Sequence, residues 1–230
     1  MPHGYIYPRA QRSVRDLLRR RFGLVRMTTR ILLSVQSTWA RHTGQGLSAN
    51  GFRQLSRTTI EAALPDPIVR LSVLTQIKVW QAIQEQVRCL EKWVIRSAEC
   101  RRELLALRSI PGVGPILSTT IALETGDIAR FAKVGDYASY CRIVKSERWS
   151  NGKKKGSGNR KSGNKYLAWA FIEAANFAVR FSPPINRWYT RKCDKRHKII
   201  ALKAVAHKLA RASFHLMRDG GCFDARRAFG

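Results

Sequence analysis

The stretch from Ser150 to Asn164, SNGKKKGSGNRKSGN, contains glycines, lysines and hydroxyls but no carboxylate and no aliphatic side chain. Counting its flanks, Arg148, Lys153, Lys154, Lys155, Arg160, Lys161 and Lys165 place seven cations around Ser146, Ser150, Ser157 and Ser162. A solvated charge run is the usual origin of such a segment. Phosphoryl transfer to a serine would need the same surroundings, because it depends mainly on positioning and on neutralising the equatorial phosphate oxygens. A serine nucleophile also needs a base or a metal to take its proton. Glu147 is the only nearby carboxylate in sequence and no histidine is close, so the activating group has to come from elsewhere.

The composition favours a polyanionic partner. The chain of 230 residues carries 43 Lys and Arg against 15 Asp and Glu, a formal charge of +28, and its 44% of hydrophobic residues is enough for a real core. Such an excess makes a compact state repel itself unless a polyanion shares its surface, and nucleic acid is the natural one. No run of about 18 apolar residues is present and the N-terminus lacks a signal-peptide core, so a membrane partner is excluded and a cytoplasmic location is expected. Five scattered cysteines without a C-x-x-C pair argue against a disulfide scaffold or a zinc ribbon, and Cys193 with His197 supplies too few ligands for zinc. No metal site is expected within this chain.

The elements that must position the basic segment read as helices. From Arg12 to about Arg41 the apolar residues Leu18, Val25, Leu32 and Trp39 recur every seven positions, with Val14, Phe22 and Val35 on the same side. Thr43 to Asn50 breaks the pattern, and Pro65 and Pro67 mark the next start. A second stripe runs through Val73, Ile77, Trp80, Ile83, Val87, Leu90 and Val94. Two long helices and one loop make an antiparallel hairpin or a coiled-coil arm through which the chain would form a homo-oligomer, or else a plain core stripe of one bundle.

Farther on, LLALRSIPGVGPILSTTIAL (104–123) is a helix stopped at Ile110-Pro-Gly-Val-Gly114 and restarted by Pro115, the form of a helix-hairpin-helix. Gly112 and Gly114 would let the backbone approach a phosphate, with the N–H groups of the second helix pointing at it. A tight turn without a ligand is the bland alternative. Further helices are expected at about 134–144, from Asn164 to Phe181, and at about 198–218, whose outer side carries Lys203, Lys208 and Arg211. No segment alternates strictly enough to demand a strand. The expected fold is all-α: a long helical hairpin or coiled-coil arm (1–103), a compact helical domain containing the helix-hairpin-helix (104–220), and a short tail (221–230).

The segments SIPGVGPILSTTIALETGDIARF, DYASYCRIV, SNGKKKG, GNKYLAWAFIEAANFAVRFSP and KAVAHKLARASFHLMRD, between Leu104 and Asp219, together resemble the C-terminal domain of insertion-sequence transposases of the IS one-ten type. Upstream, GYIYPRAQRSVRDLLRRRFGLV is similar to the helical region joining that family's two domains. The resemblance implies a DNA recombinase with a catalytic serine, a guide RNA as a further partner, and a RuvC-like acidic domain that binds Mg2+. Ser150, before Asn151-Gly152, is the best match to the family's serine, while Ser157 and Ser162 match phosphate-contacting or capping hydroxyls. The RuvC-like half is expected to be missing, since Asp16 matches none of its ligands. Three functions compete on this reading: a transposase fragment with a serine nucleophile for strand exchange, a non-catalytic nucleic-acid-binding module left by truncation, and a structural dimerisation arm.

Overall fold

The computed structural model describes residues 5–98, 102–144, 147–157 and 162–230, with the backbone alone at Arg148 and Ser157. Arg160 and Lys161, and with them Ser146, lie outside the described residues. The chain divides into two compact units, residues 16–94 and residues 1–15 with 95–230.

The first unit is built on two long helices, α1 (Arg9–Thr43) and α4 (Pro67–Ala98), whose chain between them folds into the short helices α2 (Ala49–Arg53) and α3 (Arg57–Ala63). Serines start both short helices: Ser48 Oγ accepts from Gly51 N–H and Ser56 Oγ from Thr59 N–H, satisfying donors that a first turn leaves free. Asp66 does the same for α4, accepting from Ile68 N–H at 2.8 Å. Val35 and Trp39 of α1 share a core with Phe52, Ile60, Leu64 and Val73. Farther along, the Arg21 guanidinium pairs with Glu91 at 2.7 Å. A low number on α1 thus meets a high one on α4 and the reverse, so the two helices run antiparallel within this unit. The heptad stripe is only half right: Leu18, Val35 and Trp39 are buried, whereas Val25 and Leu32 are half-buried and Thr28 is buried in their place, its hydroxyl donating to Val25 O.

In the second unit α5 (Arg102–Arg108), α6 (Pro115–Thr125) and α7 (Val134–Tyr140) lead to a two-stranded antiparallel ribbon, β1 (Glu147–Ser150) and β2 (Lys153–Ser157). Then come α8 (Lys165–Phe181), α9 (Pro183–Cys193), α10 (Lys198–Asp219) and α11 (Ala225–Phe229). The fold is all-α apart from that ribbon, which departs from the expectation that no strand forms. Helix α8 is central, packed against α6, α9 and α10. Its fully buried Ala170, Ala174, Ala175 and Ala178 keep the neighbouring backbones close, while Leu167 and Phe171 fill the space between them. Leu104 and Leu107 of α5, Ile121 of α6, Tyr137 of α7 and Val205, Leu209 and Phe214 of α10 complete the core.

Candidate functional site

The basic segment forms a hairpin because of its turn. Asn151 (φ 50°) and Gly152 (φ 67°) both adopt the left-handed region, which a two-residue turn matched to strand twist requires and which Asn-Gly supplies at low cost. Ser150 then pairs with Lys153, Trp149 with Lys154, Arg148 with Gly156 and Glu147 with Ser157. The shift between Arg148 and Trp149 leaves Lys155 as an extra residue, a bulge that adds twist. Successive residues alternate faces, so Trp149 and Lys154 share one face, where Lys154 Nζ also pairs with Glu147 at 2.7 Å. Ser150 and Lys153 share the other, and both are exposed.

The segments 140–142 and 162–164, which flank the ribbon in sequence, are held to each other. Gly163 (φ 78°) lies so close to Tyr140 that an added Cβ would stand 2.6 Å from the Tyr140 carbonyl oxygen, and Asn164 N–H donates to that same oxygen at 2.7 Å. Arg142, itself left-handed (φ 58°), donates from Nε to the Ser162 carbonyl at 2.6 Å. Asn164 is the hub. Its Oδ1 caps α8 by accepting from the N–H groups of Tyr166 (2.8 Å) and Leu167 (3.2 Å), while Nδ2 donates to the buried Glu124 carboxylate of α6 at 2.7 Å. Beneath this hub the Tyr137 and Thr125 hydroxyls meet at 3.0 Å, and burial pushes the Tyr137 hydroxyl far up from its ordinary pKa. The Arg130 guanidinium stacks 4.3–4.5 Å from the rings of Tyr5, Phe131 and Tyr140 and donates to Thr125 O. Replacing Asn164 with alanine removes the cap and one partner of a buried carboxylate, so a loss of about 2 kcal/mol in unfolding free energy is expected in urea titration.

The hairpin thus brings together Ser150, Lys153, Lys154 and Lys155, with the backbone of Arg148 and Ser157 within the strands, while Ser162 precedes α8 and the exposed Lys165 begins it. Gly112 and Gly114 are elsewhere. Gly112 (φ 82°) presses on Phe177, twelve residues along α8 from Lys165, or about 18 Å at 1.5 Å per residue. Its Cα faces the α8 backbone, so packing accounts for the glycine. Gly114 has nothing within 4 Å of a would-be Cβ and starts α6 without a side-chain cap.

Sequence reading missed Arg130, Arg142 and Glu124 as positioning residues, since nothing local in a sequence marks a cation stacked by rings or a carboxylate that will meet an asparagine forty residues on. The ribbon did have a signal, the Asn-Gly dipeptide between Arg-Trp-Ser and Lys-Lys-Lys.

Residues 105–190, which run from α5 through the hairpin into α9, match the model of the transposase IS116/IS110/IS902 family. The similarity to that family lies in this segment. Similar proteins include a probable family 20 transposase of Pseudomonas aeruginosa, 24% identical in an alignment 223 residues long that covers 93% of this chain and 65% of that protein. The transposase for insertion sequence element IS1328 of Yersinia enterocolitica is 24% identical across 74% of this chain and 52% of its own length. An uncharacterized 43.6 kDa protein of insertion element IS110 in Streptomyces coelicolor is 28% identical across 65% of this chain and 37% of its own. The chain therefore spans between 37% and 65% of these relatives. Among the described residues no three His, Cys, Asp or Glu side chains come together. No described helix is long and apolar enough to cross a membrane.

Proposed function

We propose that this chain acts in the transposition of an insertion sequence, holding DNA by its phosphate backbone and offering Ser150 as the nucleophile of strand exchange. The observation that carries this reading is the exposed hydroxyl of Ser150 beside a two-residue turn, opposite the exposed Lys153, on a two-stranded ribbon. A group exposed beside a tight turn can meet a large substrate, and the paired strands limit the orientations it takes. In the step proposed, Ser150 Oγ gives up its proton and forms a bond to phosphorus, the P–O bond to the adjoining deoxyribose breaks, and the departing oxygen ends as a free hydroxyl on the cut strand. Lys153 and Lys155 neutralise the phosphate, and Ser157, Ser162, Arg160, Lys161, Lys165 and Arg148 serve as backbone contacts. The proton acceptor and any Mg2+ have to be brought by groups outside the described residues. For the isolated chain that makes binding without strand transfer the expected behaviour, which is the second reading, a nucleic-acid-binding module.

The turn at Gly112–Gly114 is proposed as a further backbone contact. A guide RNA is a partner by family resemblance, and its backbone would meet the same cations. A second copy of this chain is a partner suited to the 16–94 unit, which exposes Leu33, Ile68 and Leu71. Titration of duplex DNA with the purified chain tests the common part of this reading. Affinity is expected to fall by about three orders of magnitude between about 50 and 200 mM salt, as counterions released by several phosphate contacts are restored. An affinity insensitive to salt would remove the backbone-binding proposal.

A further inference from the structure

The strongest cation concentration outside the hairpin lies around α9, α10 and α11. Between Arg187 and Arg218 the chain has ten Lys and Arg against the single carboxylate of Asp194. Part of this charge converges on a cleft of about 500 Å3 between α10 and α11, whose lining includes Lys208, Arg211, His215, Asp219 and Arg227. The acids there are already engaged. Asp219 pairs with Arg218 at 2.7 Å and with His215 at 3.6 Å, and the Asp224 carboxylate caps α11 by accepting from the N–H groups of Arg226 and Arg227. Lys208 Nζ donates to Ala228 O at 2.8 Å and lies over the rings of Trp188 and Phe229, so the lysine also holds α11 in place. Arg211 and Arg227 have no carboxylate partner among the described residues.

We propose that the α10–α11 cleft is a second phosphate site, taking a phosphodiester of a bound nucleic acid between Arg211 and Arg227 at a place distinct from the hairpin. The arrangement is crowded as well as unpaired. Burial, then Arg211, then Lys192 push the Lys208 ammonium below its ordinary pKa, and burial with Arg211 and Lys208 does the same to His207. An anion seated in the cleft relieves that repulsion, whereas the ring of Trp188, flanked by Lys192 and Lys208, is not an open stacking platform for a base. Backbone rather than base is therefore the group that fits. Positive charge continues along the helix: Lys203 and Arg211 stand eight residues apart, about 12 Å along α10, close to two phosphate steps on a strand. The proposal rests on the nucleic-acid reading above but not on Ser150.

The test compares the wild-type chain, Arg211→Gln with Arg227→Gln, and Lys153→Gln with Lys155→Gln, each titrated with a short duplex DNA and with an RNA hairpin across a salt series. Both arginines are exposed, so the double variant is expected to keep its melting temperature; Arg227→Gln alone provides a milder version of it. Expected are a loss of at least roughly tenfold in affinity at about 50 mM salt and a salt slope shallower by about 1, for the one phosphate that the cleft no longer neutralises. A loss with both probes assigns the cleft to the shared backbone, and a loss with one assigns it to that nucleic acid. A folded double variant with wild-type affinity and slope for both probes overturns the proposal, most plainly if the hairpin variant is weakened in the same assay. Inorganic phosphate is the remaining arm: if it stabilises the wild-type chain but not the double variant while nucleic-acid affinity is unchanged, the cleft takes a free anion and the proposal fails. No binding by the wild-type chain would remove the general nucleic-acid reading instead.

Discussion

Ser150→Ala is expected to abolish a covalent protein–DNA adduct that survives denaturation, measured in a chain joined to the Mg2+-binding acidic domain that family resemblance implies. The adduct is a serine phosphodiester, and alanine has no oxygen with which to form it. Binding should persist, because the exposed hydroxyl contributes little to stability and the neighbouring lysines that carry nonspecific affinity are untouched. That separation of adduct from affinity is what a merely structural role for Ser150 would not produce. Ser157→Ala and Ser162→Ala should retain adduct, and Ser162 in particular already uses its carbonyl to hold Arg142. Adduct in the Ser150 variant but not in one of the others would keep the hairpin as the catalytic element and move the nucleophile; adduct in all three would move it out of the hairpin.

Gly112→Ala is expected to have the largest effect on stability. At φ 82° a side chain costs about 1–2 kcal/mol, and the new Cβ would meet Phe177, standing 2.9 Å from its backbone carbonyl carbon and 3.0 Å from Ala178 N. Those neighbours belong to the central helix α8 and cannot swing aside, so overpacking adds about 1–3 kcal/mol. The sum of about 3 kcal/mol corresponds to a fall of roughly 10 °C in melting temperature for a chain of this size. Gly114→Val provides the contrast. At φ −80° with open space around it, valine fits the fold, and the expected change is weaker DNA binding through a blocked approach to the start of α6. A Gly112 variant that melts like the wild type would mean the turn is more yielding than its packing implies. A folded Gly114 variant with unchanged affinity would make the turn structural only.

Much of this was open to inspection in the sequence, and the reason is locality. Helix starts were legible wherever a residue acts on its own chain: Pro67 at the start of α4, Pro115 at the start of α6 and Asn164 before α8 act within three residues of themselves. The buried stripe of α8 was legible from its period, and the charge excess with its hydroxyls named a polyanion before any coordinates. Even the hairpin turn was written locally, in Asn151-Gly152, although the lysines around it lack the apolar alternation by which strands are usually recognised.

What only the tertiary structure decided depends on residues far apart in the chain. Asn164 meets Glu124 and Arg130 finds Tyr5 because α6, α7 and the N-terminal segment converge on α8, a meeting that no spacing announces. Gly112 reads from sequence as a phosphate-approach glycine; the fold turns its Cα toward Phe177, where close packing alone excludes a side chain. The same holds for Arg211 and Arg227, sixteen residues apart on two helices, which line one cleft only because Lys208 draws the end of the chain back onto α10. Sequence by itself determined the helices and the basic character, since these follow from neighbouring residues and summed charge, whereas the choice of Ser150 among the serines came from family resemblance. Which cations share a site was settled by packing, because burial and long-range hydrogen bonds choose among surfaces that composition leaves equivalent.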